Sequence, residues 1–205
     1  MSDLYFIGGA PRTGKTTVVQ KLLKQKPILA ASTDAIRAVA LGLVSKETDP
    51  HLHRVERGPF GSEEHLSNLK SNQELLLKQE LASAEATWKS VLDFVGYYQK
   101  DAKDALVEGV AVLPSELAKV NFDFKAVFIV NLTDQTEEIL SHARENSFDW
   151  LSKYDDETIR QYATFNYRWN QYYAEEAVKY GFHVVEIEPK NFHQSVDTAV
   201  ELLSA

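Results

Sequence analysis

The chain has 205 residues, a formal net charge of −8 at pH 7, 44% hydrophobic and 25% charged residues, and no cysteine. This balance fits one folded domain and excludes a disordered or fibrous chain, while the acidic excess disfavours a nucleic-acid surface, which needs many phosphate-neutralising cations. Without cysteine there is no disulfide framework, thiolate metal site or thiol nucleophile, and a reducing, cytoplasmic setting is expected.

The start of the chain has no basic stretch before its apolar run, and no segment approaches the roughly 20 apolar residues of a membrane span, so neither export nor membrane insertion is expected. "LYFIGG" at 4–9 reads as a buried strand entering a glycine turn, and "KTTVVQKLLKQ" follows with Val18, Leu22 and Leu23 at helical spacing. "PILAAS" is a second strand, after which Ser32 or Thr33 can cap the helix "DAIRAVALGLV". From Ser45 to His65 the sequence turns polar and carries Pro50, Gly58, Pro59 and Gly61, the pattern of an irregular insertion. A long helix then sets Leu77, Leu81, Ala84, Trp88, Val91, Val95 and Tyr98 on one face, for a sheet or neighbouring helix to cover or as a heptad seam.

"DALVEG" and "KAVFIVN" are two further strands with a short helix near "PSELAKV" between them. "DQTEEILSHAREN" and residues 155–180 read as helices, the second stopped by Gly181; "HVVEIE" is the last strand and "NFHQSVDTAVELLS" the closing helix. Five short apolar strands alternating with helices predict a three-layer α/β/α sandwich around a five-stranded parallel sheet, in a single domain spanning 1–205. There is no internal repeat and no low-complexity segment.

Gly9, Ala10, Pro11, Arg12, Thr13, Gly14, Lys15 and Thr16 match G-x-x-x-x-G-K-[ST], between a strand and a helix as that motif requires. The glycines let successive backbone N–H groups turn inward around a phosphate, and the helix adds its positive end. Lys15 is expected to reach the β and γ phosphates of a bound triphosphate and the Thr16 hydroxyl to ligate Mg²⁺, with the rest of Gly9 to Thr17 forming the cradle.

Ligands of open α/β sheets meet the carboxyl ends of the strands, so three further stretches come into question. In "STDAIR", Asp34 can accept a proton from an attacking hydroxyl and Arg37, one turn on, can clamp an anionic acceptor; the alternative is a helix cap and a surface ion pair. In "LVEGVAVLP", Glu108 and Gly109 stand where an acidic residue can approach Mg²⁺ or its water, or bond a helix end. In "HAREN", Arg144 is the candidate catalytic arginine of a closing lid over about 144–165, bringing positive charge to the transferring phosphoryl oxygens, or else a solvated helix arginine paired with a nearby Glu, while Arg160 and Arg168 read as surface or packing residues. The aromatic residues Tyr162, Phe165, Tyr167, Trp169, Tyr172 and Tyr173 read as packing, with adenine stacking by one of them as a second role. His51, His53, Arg54, Arg57 and His65 in the insertion can face an anionic acceptor or solvent, at spacings that specify no metal site.

"IGGAPRTGKTT", "STDAIR", "LVEGVAVLP", "HAREN" and "EEAVKYGFHVVEI" together resemble P-loop small-molecule kinases, and most closely the 2-phosphoglycerate kinase-like group. The resemblance implies a sheet of the P-loop nucleoside triphosphate hydrolase type with a helical lid. It also implies ATP with Mg²⁺ as donor, Lys15 and Thr16 on the triphosphate, Asp34 at the acceptor hydroxyl and Arg37 on its anionic group. The acceptor region would be the insertion at about 45–100, where the likeness is weakest. This chain has Ala111 where that group tends to carry a histidine, and one lid arginine, Arg144, where a pair is common. The rival readings are a non-catalytic ATP-binding regulator, a mechanical ATPase, a zeta-toxin-like kinase of activated sugars, and a GTPase that reads guanine with "NLTD" at 131–134. Against the last, Leu132 replaces the expected lysine and no D-x-x-G element follows the third strand.

Overall fold

The structure, a computed structural model, describes residues 3–53 and 62–204. Five strands, β1 (Leu4–Gly8), β2 (Leu29–Ser32), β3 (Ala105–Gly109), β4 (Lys125–Val130) and β5 (His183–Glu186), form one sheet in the order β2-β3-β1-β4-β5. Every pairing is parallel. The glycine turn therefore leaves the central strand, and the register sets Gly8 level with Gly109 on one side and Phe128 on the other.

Both faces of the sheet are covered, and the strand pleat decides which residue goes where. Leu4, Phe6, Val107, Phe128 and Val130 point into one apolar layer, while Tyr5, Ile7, Leu106, Val127 and Ile129 point into the other. The second layer is closed by α1 (Lys15–Gln25), through Val18, Val19 and Leu22, and by α8 (Phe192–Ser204), through Val196, Ala199, Val200 and Leu203. The first layer is larger. It takes α4 (Gln73–Lys100), α5 (Pro114–Leu117), α6 (Thr136–Glu145) and α7 (Asp156–Lys179), with α2 (Thr33–Leu41) and α3 (Glu63–Ser71) flanking α4. All five strands and every expected helix fall where the sequence places them, and Gly181 ends α7 at φ 77°.

Two readings are corrected. The irregular stretch expected to run to His65 ends sooner, because the Ser62 hydroxyl accepts from His65 N at 3.2 Å and Glu63 and Glu64 suit the first turn of α3. On α4, Leu77 and Leu81 are only half-buried, and the fully buried face runs through Leu76, Gln79, Glu80, Ser83, Ala84, Thr87, Trp88, Val91 and Val95. That face packs on α2, α3, α7 and β3 within the chain, as an ordinary helix face does. Arg54, Arg57, Gly58, Pro59 and Gly61 lie outside the described residues. Among the described residues no helix is long and apolar enough to cross a membrane.

Candidate active site at the strand tips

The cradle is shaped by backbone that only glycine fits. A Cβ on Gly8 would lie 2.3 Å from a ring carbon of Phe128 and 2.7 Å from the Val112 carbonyl oxygen. Gly9, at φ 144°, would carry one 2.1 Å from the Ile129 carbonyl oxygen. Gly14, at φ 83°, turns the chain into α1, and Arg12 also takes a positive φ of 64°. The N-termini of α2, α4 and α7 are capped by the side chains of Ser32, Asn72 and Asp155, and each has an acidic residue in its first turn. The N-terminus of α1 has neither. Thr17 N donates to the Gly14 carbonyl at 3.0 Å, and no side chain caps the positive end of the helix dipole, an arrangement suited to an external anion.

Lys15 is buried inside the loop, where its Nζ donates to the Ala10 carbonyl at 2.6 Å and lies 3.4 Å from Thr13 Oγ1. Burial lowers its pKa to about 8, against the pull of the Glu108 and Asp34 carboxylates. The Thr13 hydroxyl donates to the same Ala10 carbonyl at 3.0 Å, so both polar groups brace the loop from within. Thr16 is exposed at the start of α1.

Glu108, next to last in β3, lies level with Ile7 of β1 and Ser32 of β2. Burial raises its pKa; Lys15 lowers it and Asp34 raises it further, so the three groups share one electrostatic site. Gly109 has a local reason. At φ 140°, a Cβ there would lie 2.0 Å from Thr33 Oγ1, and that same hydroxyl oxygen accepts from Ala111 N at 3.4 Å. The close approach fixes the entry to α2, where the Ser32 side chain caps Ala35 N at 3.1 Å and Asp34 stands exposed in the first turn.

Asp34 opens onto a cavity of about 490 Å³ that Pro11 of the cradle also lines. Arg37 lines it too, with Nε and Nη2 donating to the Leu52 carbonyl at 3.1 and 2.7 Å. Burial lowers the Arg37 pKa, and Glu80 and Asp34 oppose that shift. The walls are completed by Glu80, Ser83 and Thr87 of α4 and by Trp150, Tyr162 and Trp169. Sequence reasoning missed all three α4 residues. Their signal was a polar stripe, 80-83-87, beside the apolar one at helical spacing.

Arg12 points away from the cradle. Its Nη2 binds both Asp149 oxygens, at 2.7 and 2.5 Å, and Asp149 also receives Leu151 N at 2.9 Å and lies 2.7 Å from His142 Nδ1. Burial pushes the Asp149 carboxyl up, but Arg12, the Leu151 amide and His142 together hold it below the usual carboxylate range. A second tie runs through α7: Asn166 Nδ2 donates to the Pro11 carbonyl at 3.2 Å, Asn170 Nδ2 to the Asn166 carbonyl and Asn131 N to Asn170 Oδ1, both at 2.8 Å. Neither Asp149 nor this asparagine chain was singled out from sequence.

Arg144 is bound elsewhere. Its guanidinium holds Asp156 and the carbonyls of Ser152 and Tyr154, pinning the turn before α7 rather than reaching the cradle. Arg160 pairs with Glu137 at the surface. His51 is exposed, His53 lies 2.5 Å from the Val44 carbonyl, and His65 is buried beside Glu80. "NLTD" forms a local turn, in which Asn131 Oδ1 accepts from Thr133 N and Oγ1 and Asp134 caps Thr136 N.

A glycine cradle at the tip of the central strand of a 2-3-1-4-5 parallel sheet, opening an uncapped helix, decides the architecture. The fold is an α/β/α sandwich of P-loop type, a five-stranded parallel sheet flanked by helices. No family model matches the sequence, and no curated protein is similar to it by sequence. Among solved structures, this chain is similar to dephospho-CoA kinase from Campylobacter jejuni, at 14% identity over 98% of this chain and 96% of that one, with a TM-score of 0.47. It is similar to shikimate kinase from Bacteroides thetaiotaomicron, at 14% identity over 99% of each chain and the same TM-score. It is also similar to an uncharacterized protein from Eubacterium ventriosum, at 12% identity over 100% and 99% of the two chains, with a TM-score of 0.49.

Proposed function

We propose that the protein is an ATP-dependent phosphotransferase acting on a hydroxyl of a small molecule. The observation that carries this reading is the shared mouth of two spaces: Pro11 belongs to the phosphate cradle and to the wall of the cavity onto which Asp34 opens. A nucleotide switch or a mechanical ATPase needs the cradle but has no use for an adjoining cavity with a carboxylate at its entrance.

The residues fit a nucleoside triphosphate with its metal. The uncapped end of α1 and the amides from Gly9 to Thr16 would hold the phosphates, and Lys15, released from the Ala10 carbonyl, would reach them. Thr16, with Glu108 through water, would hold Mg²⁺, which neutralises charge on the phosphates. Asp34 then orients the acceptor. Its carboxylate takes the hydroxyl proton as the acceptor oxygen bonds to the γ-phosphorus, and the bond to the β,γ-bridging oxygen breaks with ADP as leaving group. Aromatic walls keep water from competing for the same phosphoryl group.

The test is a panel of hydroxylated metabolites with ATP and Mg²⁺, in which ADP release and new phosphorus resonances are followed together. Transfer gives both signals. ADP release with inorganic phosphate alone would make the protein an ATPase, and ATP binding with neither product would make it a regulator.

A further inference from the structure

Phosphoryl transfer needs positive charge on the equatorial oxygens of the moving group, and an arginine is well shaped to supply it. Among the described residues the arginines beyond the loop are engaged elsewhere or stand in solvent: Arg144 on Asp156, Arg160 on Glu137, Arg37 on the Leu52 carbonyl, and Arg168 exposed on α7. Arg12 belongs to the cradle itself. It takes a φ of 64°, a left-handed conformation that glycine adopts freely and other residues only at a cost. The backbone on either side of it is braced, because Asn166 Nδ2 donates to the Pro11 carbonyl at 3.2 Å and the Thr13 hydroxyl to the Ala10 carbonyl at 3.0 Å. The guanidinium can therefore turn while the main chain of the loop stays in place.

Its present partner can let it go. Nη2 alone reaches Asp149, at 2.7 Å from Oδ1 and 2.5 Å from Oδ2, rather than the two-nitrogen fork of the strongest arginine–carboxylate pairs. Each of those oxygens has a second partner: Leu151 N donates to Oδ1 at 2.9 Å, and His142 Nδ1 lies 2.7 Å from Oδ2. Asp149 keeps a hydrogen bond on each oxygen when Arg12 leaves, which reduces the penalty for orphaning a buried carboxylate. Tyr162, which also senses the Arg12 charge, is held neutral by burial.

We propose, resting on the phosphotransferase reading above, that Arg12 is a catalytic residue stored on Asp149: the γ-phosphate of a bound nucleoside triphosphate draws its guanidinium off the carboxylate, while His142 and the Leu151 amide keep Asp149 in place. The γ-phosphate and Asp149 then compete for one cation. A diphosphate has no such group to offer, so the exchange also lets the cradle tell a triphosphate from its product.

Competition gives the two members of the pair opposite signs. The probes are the β,γ-imido analogue of ATP and ADP, each with Mg²⁺, titrated by calorimetry into the full chain and its variants, with a urea midpoint to show that each variant is folded. Arg12→Met should weaken the analogue about tenfold, the worth of one bond to a charged group, and ADP by less than about twofold. Arg12→Lys, which keeps the charge without the planar head, should fall between Arg12→Met and the wild type. Asp149→Asn removes the competing anion and should tighten the analogue about threefold while leaving ADP unchanged, and the double variant with Arg12→Met should bind as Arg12→Met does. ADP release from ATP should fall about 100-fold in Arg12→Met. A pair that only props the fold would weaken both nucleotides in both variants or alter neither, and each of those results would overturn this inference and leave the kinase reading standing. Turnover in Arg12→Met equal to that of the wild type would overturn it as well. A wild type that binds neither nucleotide would instead bring down the phosphotransferase reading, and this inference with it.

Discussion

The glycine cradle and the cavity beside it meet at Pro11 but are built in opposite ways. The cradle is eight consecutive residues shaped by backbone: positive φ at Gly9, Arg12 and Gly14, and a helix end that no side chain caps. The cavity gathers side chains from α2, α4, α7 and the turn at Trp150, more than a hundred residues apart, with Asp34, Arg37 and Glu80 among its lining. Backbone-built sites tolerate almost no substitution, and side-chain-built sites can change their ligand while the fold stays. In the proposed reaction the phosphate chemistry would therefore be the fixed half and the acceptor the adjustable half.

The largest effect should come from Lys15→Ala, which removes the one cation inside the cradle. Loss of an electrostatic group at a transferring phosphoryl is expected to lower kcat about 1000-fold, and ATP affinity should fall with it, read by ADP release and calorimetry. Asp34→Asn should separate the halves more cleanly. Turnover should drop roughly 100- to 10,000-fold, as for loss of a positioned base, while ATP affinity stays within about twofold. Wild-type turnover in Asp34→Asn would detach the cavity mouth from the chemistry.

A smaller change in atoms tests the backbone side. Gly9→Ala adds one methyl, but its Cβ would lie 2.1 Å from the Ile129 carbonyl oxygen at a φ of 144°. We expect a loss of about 3 kcal/mol in urea unfolding together with loss of ATP binding. Ala84→Gly in the cavity wall, which also changes one methyl, should cost about 1 kcal/mol and leave ATP binding unchanged. Equal costs would erase the distinction.

The same contrast explains what could be read from the sequence. The strands were legible because each is a short apolar run, and the cradle because its contacts are local and its glycines have no other purpose. Asp34, Arg37 and Glu108 followed from position at the strand tips. Glu80, Ser83 and Thr87 were hidden, because a search for apolar periodicity passes over polar residues buried on the same helix face. Arg144 illustrates the converse: an arginine near a lid has many possible anions, and Asp156, twelve residues on, holds it through a turn that sequence spacing does not reveal. Arg12 could be assigned to the cradle by motif, yet its partner Asp149 lies 137 residues away.

That pair is the joint between the halves, and it carries the last and smallest prediction. Arg12 is the cradle side chain that reaches the segment before α7, and Asp149 is buried with Arg12, His142 and the Leu151 amide around it. Because the folded carboxyl is held below its unfolded pKa near 3.8, its contribution is fully present above that value and is lost as pH falls through the lower, folded one. Asp149→Asn should therefore lower stability by about 2 kcal/mol at pH 7, the worth of charge-assisted bonds at a mostly buried site. The gap from wild type should hold down to about pH 4 and narrow below it, measured by urea unfolding along a pH series. Arg12→Met should reproduce most of that loss and, combined with Asp149→Asn, add little to it. Full additivity in the double variant would mean that cradle and cavity are held together by something other than this ion pair, and the Asn166 bond to the Pro11 carbonyl would be the next joint to cut.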